Sequence, residues 1–229
     1  MTNTAVVKPK KNSTWAWALW DWAEQPYPTI MQTFIFPVYL ASDVATAAQN
    51  PDQAIGWATA TAGVLLALIA PVLGRRSDVN GRRKFWVVTL TLVLVAIMIS
   101  SFFVEPKPEY FLFGLVLYAF GSVVQETAFI NYYAMLKGVT TEKNIGKISG
   151  FAWALGYVGG IILLLISLIG FVLPDVPWFG IPTDDALNVR SIFLFAAVWT
   201  LIFSIPLLLF VPEIEKQPMA KESVLSSYK

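Results

Sequence analysis

Five long stretches of this chain run almost without charge: Ile55–Gly74, Phe85–Val104, Tyr110–Leu136, Ile148–Leu173 and Ile192–Val211. Glu126 is the one charge inside any of them. Each has about 20 residues or more, and at about 1.5 Å per residue that length crosses a hydrocarbon core of about 30 Å. A sixth stretch, Ala18–Ala41, holds Asp21, Glu24 and Gln25 near its start and then the apolar run Ile30–Leu40. Backbone amides in lipid must be satisfied within the segment, so helices are the natural form. None of the runs alternates as barrel strands do. The pattern predicts an all-α membrane protein of six transmembrane helices, at about 18–41, 55–74, 85–104, 110–136, 148–173 and 192–211. They form a domain over 15–212, with a short segment 1–14 before it and a polar tail 213–229 after it.

The connecting segments alternate in charge. Fourteen Lys and Arg fall before the first stretch, in the second and fourth connections and in the tail; only Lys107 and Arg190 fall in the other connections. The positive-inside rule places the fourteen in the cytoplasm. Both ends are then cytoplasmic, which requires an even number of crossings and keeps the polar first stretch as a helix. Two carboxylates between its basic start and its apolar run argue against a cleaved signal peptide. Trp15, Trp17, Trp20, Trp22, Trp57, Trp86 and Trp178 lie near predicted helix ends, where an aromatic belt is expected.

Composition agrees with a membrane chain. Apolar residues make up 56% of 229 and charged residues 14%, and the mean hydropathy is +0.62; a soluble domain carries about 25% charge. There are no cysteines and no histidines, so disulfides, thiol chemistry and Cys/His metal sites are excluded. Proton handling therefore falls to a carboxylate, a tyrosine or a lysine. No nucleophile–base pair, metal-ligand cluster or phosphate loop is visible, so the chain does not read as an enzyme, and no cofactor or metal is expected. A net charge of +1 says nothing of partners beyond the bilayer, and no nucleic-acid partner is expected.

Helical spacing puts Asp21, Glu24, Gln25, Pro28 and Gln32 on one polar stripe. A carboxylate near the bilayer centre costs several kcal/mol unless paired or wet, so the stripe is expected to face a cavity or the bundle interior. Two readings stand: a substrate or proton pathway, or interfacial carboxylates paired with nearby lysines. Pro26 and Pro28 loosen the backbone there. Glu126 is the most deeply placed charge, with Gln125, Thr127 and Asn131 around it in sequence. It reads as a pathway residue, or as a structural partner of Lys137 or Lys143. Gly146, Gly150, Gly156 and Gly160 have the spacing of close helix packing.

The segment Gly74–Lys84, GRRSDVNGRRK, has a tight turn at Asn80–Gly81 with glycine supplying positive φ. It resembles the loop signature of the major facilitator superfamily. Gly74, Asp78, Gly81, Arg82 and Arg83 match, and Val79 stands where an arginine is usual. The resemblance implies a gating loop that latches two halves of a transporter. Trp15–Tyr27, WAWALWDWAEQPY, resembles the opening of the vacuole-effluxer branch, which contains vacuolar amino-acid effluxers and bacterial relatives; Trp20 and Glu24 depart from its Tyr and Asn. Gly146–Gly160 is similar to the fifth helix of that branch. These resemblances imply a secondary transporter of twelve helices in two halves, moving amino acids or similar small metabolites, of which this chain supplies one half of two three-helix repeats. Proton coupling through Glu24, Glu126 or Asp21 is expected. So is a partner: a second six-helix half, or a second copy in a homodimer. The alternative is a non-transporting assembly partner or a truncated remnant. In a bacterium the location is the inner membrane.

Overall fold

The computed structural model describes residues 11–213; of residue 11 and residues 72–80 only the backbone is described. Among the described residues every regular element is helical. They are α1 (Lys11–Glu24), α2 (Phe36–Tyr39), α3 (Pro51–Asn80), α4 (Arg83–Ser101), α5 (Phe111–Val139), α6 (Ile145–Ser167) and α7 (Leu187–Phe210). Wider π turns fill Tyr27–Phe34, Leu40–Val44 and Leu168–Val172. Five helical stretches are long and apolar enough to cross a membrane, those containing α3, α4, α5, α6 and α7. The path from α1 to Val44 is helical but broken, and it does not meet that standard.

The break has a chemical cause. Pro26 lacks an N–H, so the Trp22 carbonyl four residues back loses its helical partner. The Trp199 indole on α7 donates to that carbonyl instead, at 3.1 Å. Beyond Pro28 the ladder widens: the Ile35 amide reaches back five residues to Ile30 at 3.2 Å. In that register the Gln32 carbonyl faces Pro37, which has no N–H to give. The Tyr118 hydroxyl of α5 donates to it at 3.4 Å. Side chains of two neighbouring helices thus replace what the prolines remove.

α1 and its π continuation hold the centre of the bundle. Trp17, Trp20, Ala23, Tyr27, Ile30, Met31, Phe36 and Tyr39 are all buried. α1 packs on α6 and α7, α7 on α4, α4 on α5, and α5 on α3. α3 and α6 therefore end the row. Among the described residues of α3, Ala62 alone is buried. Many apolar side chains of both helices are exposed, among them Val64 and Leu68 on α3 and Trp153 and Ile161 on α6, as lipid- or partner-facing surface requires.

Three sequence expectations need correcting. The second helix does not stop at Gly74. It runs to Asn80, because nothing in RRSDVN breaks a helix before Gly81, whose φ of 59° turns the chain into α4. Trp17 and Trp20 are not belt residues. Trp17 stacks on Tyr132 at 4.3 Å and Trp20 donates to Thr91 Oγ1 at 3.2 Å, both inside the bundle. Trp15, Trp57, Trp86 and Trp178 do point outward. The last helix begins at Leu187, not 192, because Arg190 is an anchor rather than a loop charge. It donates from Nε to the Phe102 carbonyl at 2.6 Å, with its guanidinium 5.1 Å from the Phe102 ring centre.

Candidate functional site

Two antiparallel elements, α1 with its π continuation and α5, bring the deepest polar groups together. Their register is fixed by contacts at each end. Trp17 Nε1 donates to the Tyr132 carbonyl at 3.1 Å, and Gln32 Nε2 donates to Ser122 Oγ at 3.0 Å. Between these, Tyr27 Oη donates to the Tyr118 carbonyl at 3.3 Å, in the space left by Gly121. This register brings residues 125–128 to the level of Glu24.

Where the seam begins on α1, Tyr132 Oη lies 3.1 Å from Asp21 Oδ2 and 3.1 Å from the Trp17 carbonyl. One hydroxyl proton serves one of these acceptors at a time. When Asp21 carries a proton it donates back to Oη, and both contacts are satisfied together. One turn further along, Glu24 is 1% exposed, and neither carboxylate oxygen has a hydrogen-bond partner. Gln125 is also 1% exposed, with its amide nitrogen and oxygen both unpartnered. Asn131 donates to the Thr127 carbonyl at 2.9 Å, but its side-chain oxygen is unpartnered. Buried polar groups are nearly always hydrogen-bonded, so so many orphans within a few turns mark a place kept for something other than stability.

Glu126 differs: its side chain is exposed on the open face of α5. Asp21 and Glu126 are nonetheless the two charges close enough to Glu24 to act on it electrostatically. Among the described residues no ion pair reaches any of the three carboxylates, and neither Lys137 nor Lys143 pairs with Glu126. The lysines nearest Asp21 and Glu24 in sequence, Lys8, Lys10 and Lys11, have side chains outside the described residues.

The predicted stripe divides along its length. Asp21 and Gln32 turn to α5, whereas Gln25 turns to α6 and donates to Thr29 Oγ1 at 3.2 Å. Gly156 and Gly160 of α6 make room for it. A Cβ at Gly160 would lie 2.8 Å from both Gln25 Cγ and Thr29 Oγ1. Among the described residues nothing packs on Gly146 or Gly150: both are exposed, and nothing approaches within 4 Å of a Cβ built on either. Gly160→Val is expected to cost about 1–3 kcal/mol by overpacking the α1–α6 seam, and Gly150→Ala to be neutral for this chain. Thermal unfolding of the two variants side by side checks the contrast.

Of the loop signature, the side chains of Gly74 and Asp78 lie outside the described residues. Gly81 supplies the turn, Arg82 is exposed with its guanidinium 6.0 Å from the Phe85 ring centre, and Arg83 opens α4. The same corner receives Glu213, whose two oxygens accept from the Lys84 and Phe85 amides at 2.8 and 3.1 Å. A carboxylate on these otherwise unpaired amides caps α4. Neither Glu213 nor Tyr132 stood out from the sequence pattern. Tyr132 was detectable: it stands one heptad after Gln125, on the face of α5 turned to α1.

Comparison with known proteins agrees with this picture at the level of family. A protein-family model described as Major Facilitator Superfamily matches residues 29–226. A relative described as an uncharacterized MFS-type transporter YxiO, from Bacillus subtilis (strain 168), is 28% identical over 221 residues, which is 93% of this chain and 50% of the relative. The chain thus spans about half the length of that relative. No solved structure matches. The family is one of transporters, not enzymes, and the long apolar helices are those of an integral multi-pass membrane protein. A match over most of its length shows that this chain belongs to the major facilitator superfamily.

Proposed function

We propose that this chain forms one six-helix half of a secondary active transporter, moving a small solute such as an amino acid in exchange or symport with protons. The observation that carries this reading is Glu24, a fully buried carboxylate without a partner on a helix at the centre of the bundle. Such a group is expensive to keep in a membrane and is retained where protons or solutes pass. Six crossings are part of the proposal. The path from α1 to Val44 is the sixth, its prolines and π turns giving the irregular backbone that transporters tolerate where a helix lines a cavity. Both ends then lie in the cytoplasm, as the loop charges require.

The second half comes from further sequence or from a second copy of this chain. The open faces of α3 and α6 support this. Gly56, Gly63, Gly146 and Gly150 leave bare backbone there, the surface on which another helix approaches closely. Asp78, Arg82 and Arg83 are proposed as the latch at that seam. The amino-acid substrate rests on the resemblance of Trp15–Tyr27 and Gly146–Gly160 to the vacuole-effluxer branch.

Proteoliposomes containing the protein, preloaded with a radiolabelled amino-acid mixture and given a pH gradient, test the reading. The expected result is solute flux that follows the gradient and disappears in Glu24→Gln. Absence of flux from a folded, membrane-inserted protein together with its second half would favour the non-transporting assembly role.

A further inference from the structure

The charges along the α1–α5 seam have one sign. Asp21 and Glu24 come from α1 and Glu126 from α5; the Tyr132–Asp21 and Gln32–Ser122 hydrogen bonds set the register that brings them to one level, and Asp21 and Glu126 both act on Glu24. No basic side chain among the described residues lies between them. The bases on these two elements are Lys11 at the start of α1, whose side chain lies outside the described residues, and Lys137 in the last turn of α5; Arg190 of α7 is engaged by the Phe102 and Asp185 carbonyls. Repulsion among three carboxylates in a poorly screened medium is relieved by a cation, and an anion placed there makes it worse.

The groups around them suit an organic cation. Glu24 and Gln125 are each 1% exposed and offer four unpartnered polar atoms, three of them oxygens able to accept from a donor-only group. Tyr133 is 43% exposed beside the carboxylates, its ring stacked on Phe129 at 5.4 Å. An exposed ring face next to carboxylates is the setting in which ammonium groups are held by cation–π attraction. Glu126, exposed, is the entry to the cluster, and Glu24 is its buried end.

We infer that the Asp21–Glu24–Glu126 cluster is the subsite for the ammonium group of the transported solute. This rests on the transport reading and narrows it: the solute carries a free amine, and this half of the transporter holds the amine end. The rest of such a solute, including any carboxylate, is held by groups outside this cluster. Glu24 stands where the resembled branch has Asn, so the recognition belongs to this chain's own residue.

The test uses the full chain in nanodiscs and two probes of like size, phenethylammonium and 3-phenylpropionate, titrated against tryptophan fluorescence, since Trp17, Trp20 and Trp22 flank the cluster. The expected result is a saturable change with phenethylammonium and none with 3-phenylpropionate. Affinity should fall at least tenfold in Glu24→Gln and in Glu126→Gln, and be partly restored in Glu24→Asp. Glu126 is exposed, so its variant keeps the test valid if Glu24→Gln fails to fold. Three results overturn the inference: equal or stronger binding of 3-phenylpropionate, ammonium binding indifferent to both substitutions, or no saturable ammonium binding by folded protein. Sodium chloride reproducing the signal at equal concentration also overturns it, by assigning the cluster to an inorganic cation. Flux measured separately keeps the two readings apart. Ammonium binding without flux removes the transport reading and leaves the subsite. Flux of a solute that has no amine does the reverse.

Discussion

Replacing Glu24 with leucine is expected to stabilise this protein and abolish the proposed transport. A buried polar group without a hydrogen bond costs about 1–3 kcal/mol in the folded state, and more if it is charged. Glu24 has two such oxygens and lies near two further carboxylates. Leucine removes both oxygens and their repulsion while filling much of the same volume between α1 and α5. The melting temperature in detergent or nanodiscs should therefore rise, corresponding to at least about 1 kcal/mol. Glu24→Gln should gain less, because the amide inherits the missing partners. Solute flux should be lost in both. A clear drop in stability on Glu24→Leu would mean that the carboxylate is satisfied in the folded protein, and would undo its assignment as a functional group.

The opposite behaviour is expected three and seven residues earlier, where polar groups on α1 have hydrogen-bond partners. Trp17 is buried, stacked on Tyr132 and donating to its carbonyl, while Tyr132 Oη reaches back to Asp21 and Trp17. Trp17→Ala empties the centre of the α1–α5 contact and should cost about 3–5 kcal/mol. Tyr132→Phe keeps the ring stack but leaves Asp21 without its hydroxyl neighbour, and should cost about 1–3 kcal/mol. Asp21→Asn combined with Tyr132→Phe should fall short of the sum of the single effects by about 0.5–3 kcal/mol, since both remove one interaction. Denaturation of the single and double variants in the same detergent measures this. Strict additivity would show that the two groups are not coupled.

The membrane helices were legible because a run of apolar residues is a one-dimensional signal. Their ends were less so. Asn188 and Arg190 read as loop residues, yet they begin α7. Their side chains find partners in carbonyls of other segments, Phe171 at 2.9 Å and Phe102 at 2.6 Å, which no local pattern encodes. The inward face of α1 was half legible. Periodicity set Asp21, Glu24 and Gln32 on one stripe, and all three turn out to be buried or half-buried. It did not separate Gln25, which follows α6, nor distinguish the buried Trp17 and Trp20 from the exposed Trp15, because tryptophan suits both a membrane interface and a tight core. Glu126 was expected to be the deepest charge. Distance along a span gives depth in the membrane but not the side of the helix, and it is Glu24 that is enclosed.

The central claim is that the polar seam of α1 and α5 opens on an aqueous path within the membrane. The chain has no cysteine, so single substitutions report position without background. Glu126→Cys and Tyr133→Cys are compared with Leu92→Cys, an exposed apolar position on α4, by reaction with a charged, membrane-impermeant thiol reagent in intact vesicles. A charged reagent follows water and does not enter lipid. Rapid labelling at 126 and 133 with little at 92 is the predicted result. Labelling absent at 126 and 133, or no faster there than at 92, would contradict it.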